Sequence, residues 1–301
     1  MQKGLNRRDF AKIFAAGVAG LSATPLWAAL ARRNLKVGHT GITWGFGADD
    51  LPTAISDIGS LGYQGFEPFG NVIEAWEERG GIGPLLEAAK LPLQGAYCNA
   101  NLTNAATRAE QVENMVRWGR LIRKYGGSIA VIGPNGVRRQ EYDFAANREN
   151  IVATLNDISM ALMDVGVIGA LHPHTGTCIE TEEETYAIME AVDSRYVKFG
   201  PDFGQLLKAE GDPVKVLRDF ASITHHVHMK DFNGGESFLG YCPLGQGHLQ
   251  VEALADICES AGNDIMIMVE LDGSRNMPMT PLETARISRD HLRTLDYEFQ
   301  A

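Results

Sequence analysis

The sequence predicts an α/β protein, a (β/α)₈ TIM barrel, and three observations lead to this prediction. Short apolar runs alternate with helix-length amphipathic stretches along the chain. There are eight such runs, the number of strands in a closed barrel. No G-x-G-x-x-G motif follows the first run. Its absence disfavours the main alternative, an open doubly wound sheet that binds a dinucleotide.

The predicted strands are apolar and end in polar or turn-forming residues. They cover residues 35–39, 65–69, 93–98, 128–133, 168–174, 197–202, 223–231 and 264–271. In a barrel of this kind the active site lies at the C-terminal ends of the strands.

Several of the intervening helices carry recognisable start signals. These are Thr181 with Glu184, Thr280 with Glu283, and Asp212 before Pro213. Apolar residues at three- and four-residue spacings predict further helices over 107–125 and 147–165.

The first 31 residues resemble a twin-arginine export signal. Arg7 and Arg8 precede a short, weakly hydrophobic stretch rich in alanine and glycine, which ends in small residues. We therefore expect an exported, periplasmic protein in which residues 32–301 form a single barrel domain. An N-terminal amphipathic helix is the alternative interpretation.

Composition excludes several classes of protein. The formal net charge is −11 at pH 7, and removal of residues 1–31 would make the chain more acidic. An acidic surface repels phosphate backbones, so we expect no nucleic-acid partner. No apolar run of about 18 to 20 residues follows the N-terminal segment, so we expect no membrane span. The four cysteines form no C-x-x-C pair, and we expect free buried thiols.

Side chains suited to catalysis or metal binding collect at the ends of five predicted strands. They are Glu67, His172, His174, Asp202, His226, His228, Lys230, Glu270 and Asp272. Because side chains alternate across a strand, the two histidines of strand five should share one face. Carboxylates and imidazoles without a thiolate suit a divalent ion such as Mn, Co, Mg, Ni or Zn. Asp202, His228 and Glu270 are the first candidates for its ligands.

The order of these motifs resembles the xylose-isomerase-like TIM barrel family, which includes sugar epimerases, hydroxypyruvate isomerases, inosose dehydratases and apurinic endonucleases. The resemblance covers about residues 35–297. It rests on "HPHTGT" (172–177), "PDFGQ" (201–205), "HVHMKD" (226–231), "PLGQG" (243–247) and "VELD" (269–272). The resemblance implies a metal held by Asp202, His228 and Glu270, with His172 as a further ligand or as the base.

Two residues depart from the family pattern. His172 stands where relatives usually carry a glutamate that binds metal and acts as a base, so a two-glutamate epimerase mechanism is disfavoured. Inosose dehydratases, and some enzymes that eliminate the aglycone from 3-keto-glycosides, carry a related H-x-H-x-G-T stretch. Gln205 replaces a histidine that many members carry three residues after the strand-six aspartate. The histidine at 172 favours elimination over epimerisation, and Gln205 further disfavours the family's detailed isomerase mechanism.

The sequence therefore predicts a divalent-metal-dependent isomerase or lyase that acts on a sugar, keto-sugar or cyclitol. It would remove a proton next to a carbonyl and form an enolate or enediolate. The expected catalytic residues are His172, Glu270, Lys230 and His174, and the expected metal ligands are Asp202, His228, Glu270 and His172. The expected substrate contacts are Glu67, His39, Trp44 and Arg275, although Trp44 would also suit the core and Arg275 a solvated loop.

Two other functions remain open at this point. An exported sugar-binding barrel without catalysis would explain the departures at His172 and Gln205. A nuclease of the apurinic type would need more metal ligands and a less acidic surface. A homo-oligomer is compatible with the sequence.

Overall fold

The computed structural model describes residues 33–273 and 277–300, so the predicted export signal and Arg275 lie outside the described residues. Eight parallel strands form the barrel. They are β1 Val37–Thr40, β2 Phe66–Glu67, β3 Gly95–Ala100, β4 Ile129–Pro134, β5 Ile168–Leu171, β6 Val197–Phe199, β7 Val227–Met229 and β8 Ile267–Val269.

The strands close on themselves in a ring. Hydrogen-bonded ladders run in the order β2-β1-β8-β7 and β3-β4-β5-β6. Parallel bridges from Phe66 to Leu93 and from Phe199 to Thr224 join these two ladders. The first and last strands pair directly, with Val37 opposite Ile267. The predicted (β/α)₈ barrel is confirmed.

Helices surround the barrel and cover its outer face. They are α1 Leu51–Ser60, α2 Gly70–Glu77, α3 Gly83–Ala88, α4 Arg108–Lys124, α5 Phe144–Asp164, α6 Glu182–Met189, α7 Phe203–Lys208, α8 Pro213–Phe220, α9 Val251–Ser260 and α10 Pro281–Thr294. The two long predicted helices correspond to α4 and α5. The capping boxes of α6 and α10 and the aspartate cap of α8 are present as predicted.

Several strands are shorter than predicted because the chain leaves the ladder where the polar residues begin. The amide of His172 still donates to the carbonyl of Ile132 at 3.1 Å. The amide of His174 donates instead to the carbonyl of Ile179 in the following loop, at 3.0 Å. The expectation that both histidines lie on strand five is therefore wrong: His172 directly follows β5 and keeps one ladder hydrogen bond, and His174 lies in the βα loop.

An antiparallel hairpin follows β7 and was not predicted. Asp231–Phe232 pairs with Tyr241–Cys242. The buried Asp231 carboxylate accepts hydrogen bonds from the amides of Gly245 and Gly247 at 3.0 and 2.9 Å and so fixes the "PLGQG" loop. Gly247 is required there, because a Cβ would lie 2.2 Å from Asp231 Oδ1. The hairpin has no long apolar run of the kind that predicted the barrel strands, so the sequence pattern did not reveal it.

The main core lies between the strands and the helices and is built from aliphatic and aromatic side chains. All four cysteines are free and buried, as expected. Among the described residues, no helix is both long and apolar enough to cross a bilayer.

Candidate active site

The C-terminal ends of the strands surround a cavity of about 220 Å³. Part of its lining is polar, from Thr40, Glu67, Asn99, His172, His174 and Glu270. The rest is apolar or aromatic, from Ile42, Phe46, Pro68, Phe69 and Tyr97. The cavity therefore lies where the barrel interpretation places an active site.

The four predicted metal ligands converge beside this cavity. One donor atom each of His172, Asp202 and His228 lies within 4.8 Å of the others. Glu270 adjoins them, with Oε2 3.0 Å from His228 Nδ1. The residues come from the ends of β5, β6, β7 and β8, so the fold brings together side chains that are up to 98 positions apart in the sequence.

These residues fit a divalent cation. Asp202 Oδ2 and His228 Nδ1 are buried, and each lies beside one charged side chain: Oδ2 is 2.7 Å from Lys230 Nζ, and Nδ1 is 3.0 Å from Glu270 Oε2. Neither atom makes a well-aligned hydrogen bond, so both can bind a cation. Oxygen and imidazole donors without a thiolate suit the ions that the sequence predicts.

Glu67, His226 and His228 form a second group of possible metal ligands, which shares His228 with the group of His172 and Asp202. Glu67 Oε1 accepts a hydrogen bond from His228 Nε2 at 2.9 Å, and Glu67 Oε2 lies 2.8 Å from His226 Nε2. Burial would raise the pKa of Glu67, but the two histidines lower it to about 2, so the carboxylate is ionised. Burial would lower the pKa of His228, but Glu270 and Glu67 raise it well above its usual value. His228 therefore carries a proton on both ring nitrogens, and a cation bound at Nδ1 would displace the proton on that nitrogen.

Lys230 is completely buried among three carboxylates. Its Nζ lies 2.5 Å from Glu270, 2.7 Å from Asp202 and 3.0 Å from Asp272. Burial would lower the pKa of Lys230, but these carboxylates raise it well above its usual value. Lys230 does not line the cavity. These contacts support a role for Lys230 in balancing the charge of the three carboxylates. They do not place it where it could contact a ligand in the cavity.

His172 combines exposure to the cavity with a neutral ring. Burial, followed by the nearby His228, lowers the pKa of His172 well below its usual value. Its Nδ1–H donates to the carbonyl of Gly200 at 3.1 Å, so the lone pair lies on Nε2, 3.9 Å from Asp202 Oδ2. Of His172, Asp202 and His228, only His172 lines the cavity. Its Nε2 can therefore accept a proton or bind a cation.

His174 is held by Gln205, the second residue that departs from the family pattern. The Gln205 amide donates to His174 Nε2 at 2.8 Å, and His174 Nδ1–H donates to the carbonyl of Thr175 at 2.8 Å. The Gln205 carbonyl oxygen accepts from the hydroxyls of Thr175 and Tyr241, both at 2.6 Å. Both ring nitrogens of His174 are thus occupied, an arrangement that suits a positioning role better than proton transfer.

Two predicted substrate contacts lie away from the cavity lining. His39 is buried, and its Nδ1–H donates to the carbonyl of Thr40 at 2.7 Å. Trp44 packs edge-on against His39 and donates its indole N–H to Asp57 at 2.8 Å. The geometry of the described residues therefore supports a packing role for both, and the cavity lining contains Phe46 where Trp44 was expected.

The aromatic part of the lining was not predicted from the sequence. Phe46 and Phe69 pack with ring centroids 5.5 Å apart, and Phe69 packs edge-on against Tyr97 at 5.7 Å. Phe69 lies just after β2, so the strand-end rule that found the acids and histidines would also have found this residue. Phe46 carries no such signal, because it lies in a loop without periodicity.

The comparisons with known proteins agree with this geometry. Residues 55–295 match the model of the xylose isomerase-like TIM barrel family, and the chain belongs to that family. An inosose dehydratase of Clostridium botulinum (strain Alaska E43 / Type E3) is 24% identical over 294 residues, covering 86% of this chain and 96% of that protein.

Two solved structures share the fold. The structure of the IolI protein with a binding zinc atom aligns with a TM-score of 0.71 and 15% identity. The alignment covers 89% of this chain and 100% of that chain. The 3-keto-D-glucoside 4-epimerase YcjR of E. coli aligns with a TM-score of 0.67 and 18% identity, covering 87% of this chain and 99% of that chain. The family match over residues 55–295 and the dehydratase relative make the protein an enzyme of the xylose isomerase-like TIM barrel family.

Proposed function

We propose that the protein is a divalent-metal-dependent lyase that acts on a keto-sugar or cyclitol by removing a proton next to a carbonyl. The observation that carries the proposal is the convergence of His172, Asp202 and His228, with Glu270 3.0 Å from His228. The neutral ring of His172 faces the cavity. The inosose dehydratase relative supports elimination as the outcome.

Asp202, His228 and Glu270 would hold the ion. When bound, a divalent ion supplies Lewis-acid polarisation of the substrate's carbonyl oxygen. Burial would raise the pKa of Glu270, but Lys230 and His228 lower it well below its usual value. Glu270 is therefore an ionised carboxylate at the edge of the cavity, available as a ligand.

His172 would act as the proton acceptor. Its Nε2 takes the proton from the carbon next to the carbonyl, and the electron pair of that C–H bond forms the double bond of an enolate. Breaking the bond between the neighbouring carbon and its oxygen then releases the leaving group, which takes a proton back from His172. A single histidine that accepts and returns one proton suits elimination, whereas epimerisation requires delivery from the opposite side of the carbon.

An unphosphorylated substrate fits the lining. Among the described residues that line the cavity there is no lysine or arginine, and Glu67 and Glu270 are acidic. A phosphate dianion would be repelled by these carboxylates. A ring with hydroxyl and keto groups would find hydrogen-bonding partners on the polar side and apolar contacts on the aromatic side.

A product analysis in deuterium oxide tests the proposal. The protein is loaded with Mn²⁺ and incubated with a 3-keto-glucoside, an inosose or a ketose, and the products are identified by NMR. Release of aglycone or water is the expected result. Deuterium at one carbon without release would instead indicate an epimerase or isomerase. No exchange with any substrate would favour the sugar-binding alternative.

Export to the periplasm through a twin-arginine signal in residues 1–31 is part of the proposal. The arginine pair followed by a weakly hydrophobic segment supports it. Cell fractionation of the chain with Arg7 and Arg8 intact, or both changed to lysine, tests it. Retention of the unprocessed variant in the cytoplasm is the expected result.

A further inference from the structure

Glu67 contacts imidazoles with both of its carboxylate oxygens. It lies at the end of β2 and is 2% exposed. Oε1 accepts the hydrogen bond from His228 Nε2 at 2.9 Å, and Oε2 lies 2.8 Å from His226 Nε2. Glu67 lines the cavity, but Oε1 is occupied by the hydrogen bond from His228, and Oε2 faces His226 without a well-aligned hydrogen bond.

The hydrogen bond from Glu67 determines which nitrogen of His228 can bind a cation. A neutral imidazole carries one N–H and one lone pair. Because Nε2–H donates to Glu67, the lone pair of a neutral His228 lies on Nδ1. Nδ1 is buried, makes no well-aligned hydrogen bond and lies 3.0 Å from Glu270 Oε2.

We propose that Glu67 is a positioning residue for the ion site. It fixes the ring orientation and the tautomer of His228 so that Nδ1 is the donor atom. This inference rests on the divalent ion of the proposed function, and it replaces the substrate contact that the sequence predicted for Glu67. Carboxylates that hold the second nitrogen of a metal-binding histidine typically contribute about 10- to 100-fold to metal affinity.

The alternative is that Glu67, His226 and His228 themselves hold an ion, since one donor atom each lies within 4.8 Å of the others. His228 has a single lone pair when neutral, so it can serve only one of the two overlapping groups. The group with His172 and Asp202 has Glu270 as a fourth donor beside it. The hydrogen bond between His228 and Glu67 already occupies Nε2, the nitrogen that the alternative requires.

A Co²⁺ titration of the full chain tests the proposal, with Co²⁺ absorption reporting the ligand set and thermal unfolding reporting stability. The variant is Glu67→Gln and the matched control is Glu74→Gln. Glu74 likewise accepts hydrogen bonds from two side chains, Arg117 at 2.6 Å and Trp118 at 2.8 Å, but lies on α2 outside the cavity lining.

We expect one Co²⁺ per chain in the unchanged protein and in both variants. Glu67→Gln should bind Co²⁺ about 10- to 100-fold more weakly with an altered absorption spectrum, whereas Glu74→Gln should bind it with unchanged affinity. If Glu67→Gln does not fold, Glu67→Asp carries the test and should also weaken binding, because the shorter side chain cannot reach both histidines.

Three results would overturn the proposal. Unchanged affinity in a folded Glu67 variant would show that the carboxylate does not support the ion site. Two ions in the unchanged protein and one in Glu67→Gln would make Glu67 a ligand. No Co²⁺ binding by the unchanged protein would overturn both this inference and the metal part of the proposed function, whereas the first two results leave that function standing.

Discussion

The polar and the apolar parts of the cavity lining differ in how firmly their side chains are held. His172 and Glu270 are 1% and 6% exposed. His172 lies beside Asp202, and Glu270 is paired with Lys230. Phe46 is 63% exposed and contacts one neighbouring ring, that of Phe69. The polar part is therefore fixed before a ligand arrives, whereas much of the Phe46 surface remains available to a ligand.

This difference assigns different tasks to the two parts. Pre-organised charges lower the barrier of a reaction because they need not rearrange as charge develops. Apolar surface that becomes buried on binding contributes about 25 cal/mol per Å² to affinity and says little about the chemical step. Substitutions in the polar part should therefore change kcat, and substitutions in the apolar part should change KM.

The largest effect is expected for Asp202→Asn. Asparagine also caps helices, so the hydrogen bonds of Oδ1 to the amides of Gly204 and Gln205 at the start of α7 can be kept. The negative charge beside His172 and Lys230 is lost, and kcat/KM should fall about a thousandfold or more together with bound metal. Steady-state kinetics and metal analysis measure the two quantities.

Asp212→Asn is the matched control for this substitution. Asp212 caps α8 with the same pattern, accepting from Val214 and Lys215 at 3.0 Å each, but lies outside the site. It should retain activity and metal. Full activity in Asp202→Asn would remove Asp202 from the proposed ligand set.

His172→Gln should reduce kcat about a hundred- to a thousandfold, because glutamine cannot accept the proton. The ligands Asp202, His228 and Glu270 remain, so metal should still bind. Single-turnover kinetics and metal analysis separate these effects. If His172→Gln loses its metal but has the single-turnover rate of the unchanged protein when metal is in excess, His172 is a ligand and not the base.

Phe46→Ala should raise KM about tenfold and leave kcat within about twofold, since it removes apolar contact area without touching the polar part. Leu239→Ala is the control, because Leu239 is similarly exposed at 62% but does not line the cavity. A fall in kcat without a change in KM would show that the apolar part contributes to the chemical step.

An effect on stability alone, without a change in activity, is expected for His39. Burial lowers the pKa of His39 to about 4, against an ordinary value of 6.5. Between these values the unfolded chain binds a proton that the folded chain does not, so the free energy of unfolding falls as the pH drops from 6.5 to 4. The loss from this group amounts to about 3 kcal/mol.

His39→Asn should remove this part of the pH dependence, since asparagine can still donate to Thr40 without titrating. Urea unfolding at pH 7 and pH 4.5 measures the difference. Parallel losses of stability in the two proteins between these pH values would show that His39 is not the titrating group.

The barrel itself was predictable because alternation of apolar runs and amphipathic helices is a local property. The strand-end rule also selected Asp202, His228 and Glu270, whose side chains the fold brings together. The partners of Glu67 were not predictable, since its contact with His228 joins residues 161 positions apart across the barrel. Sequence spacing contains no information about such cross-barrel distances.

The direction of side chains in the loops could not be predicted from the sequence either. Trp44 and Phe46 both lie in the loop after β1, but only Phe46 lines the cavity. Trp44 is held away from it by the hydrogen bond to Asp57 on α1. Without a regular period, the direction of a loop side chain depends on such tertiary contacts, which the sequence analysis could not assign.

The most direct test of the account is the rate of deuterium exchange at the carbon next to the carbonyl of a bound keto-sugar, measured by NMR in deuterium oxide. The Mn²⁺-loaded protein should exchange that proton. The rate should fall to background after chelation, recover when Mn²⁺ is restored, and stay at background in Asp202→Asn. Exchange that is equally fast with chelator, or in Asp202→Asn, would contradict the claim that proton abstraction depends on a divalent ion at these strand ends.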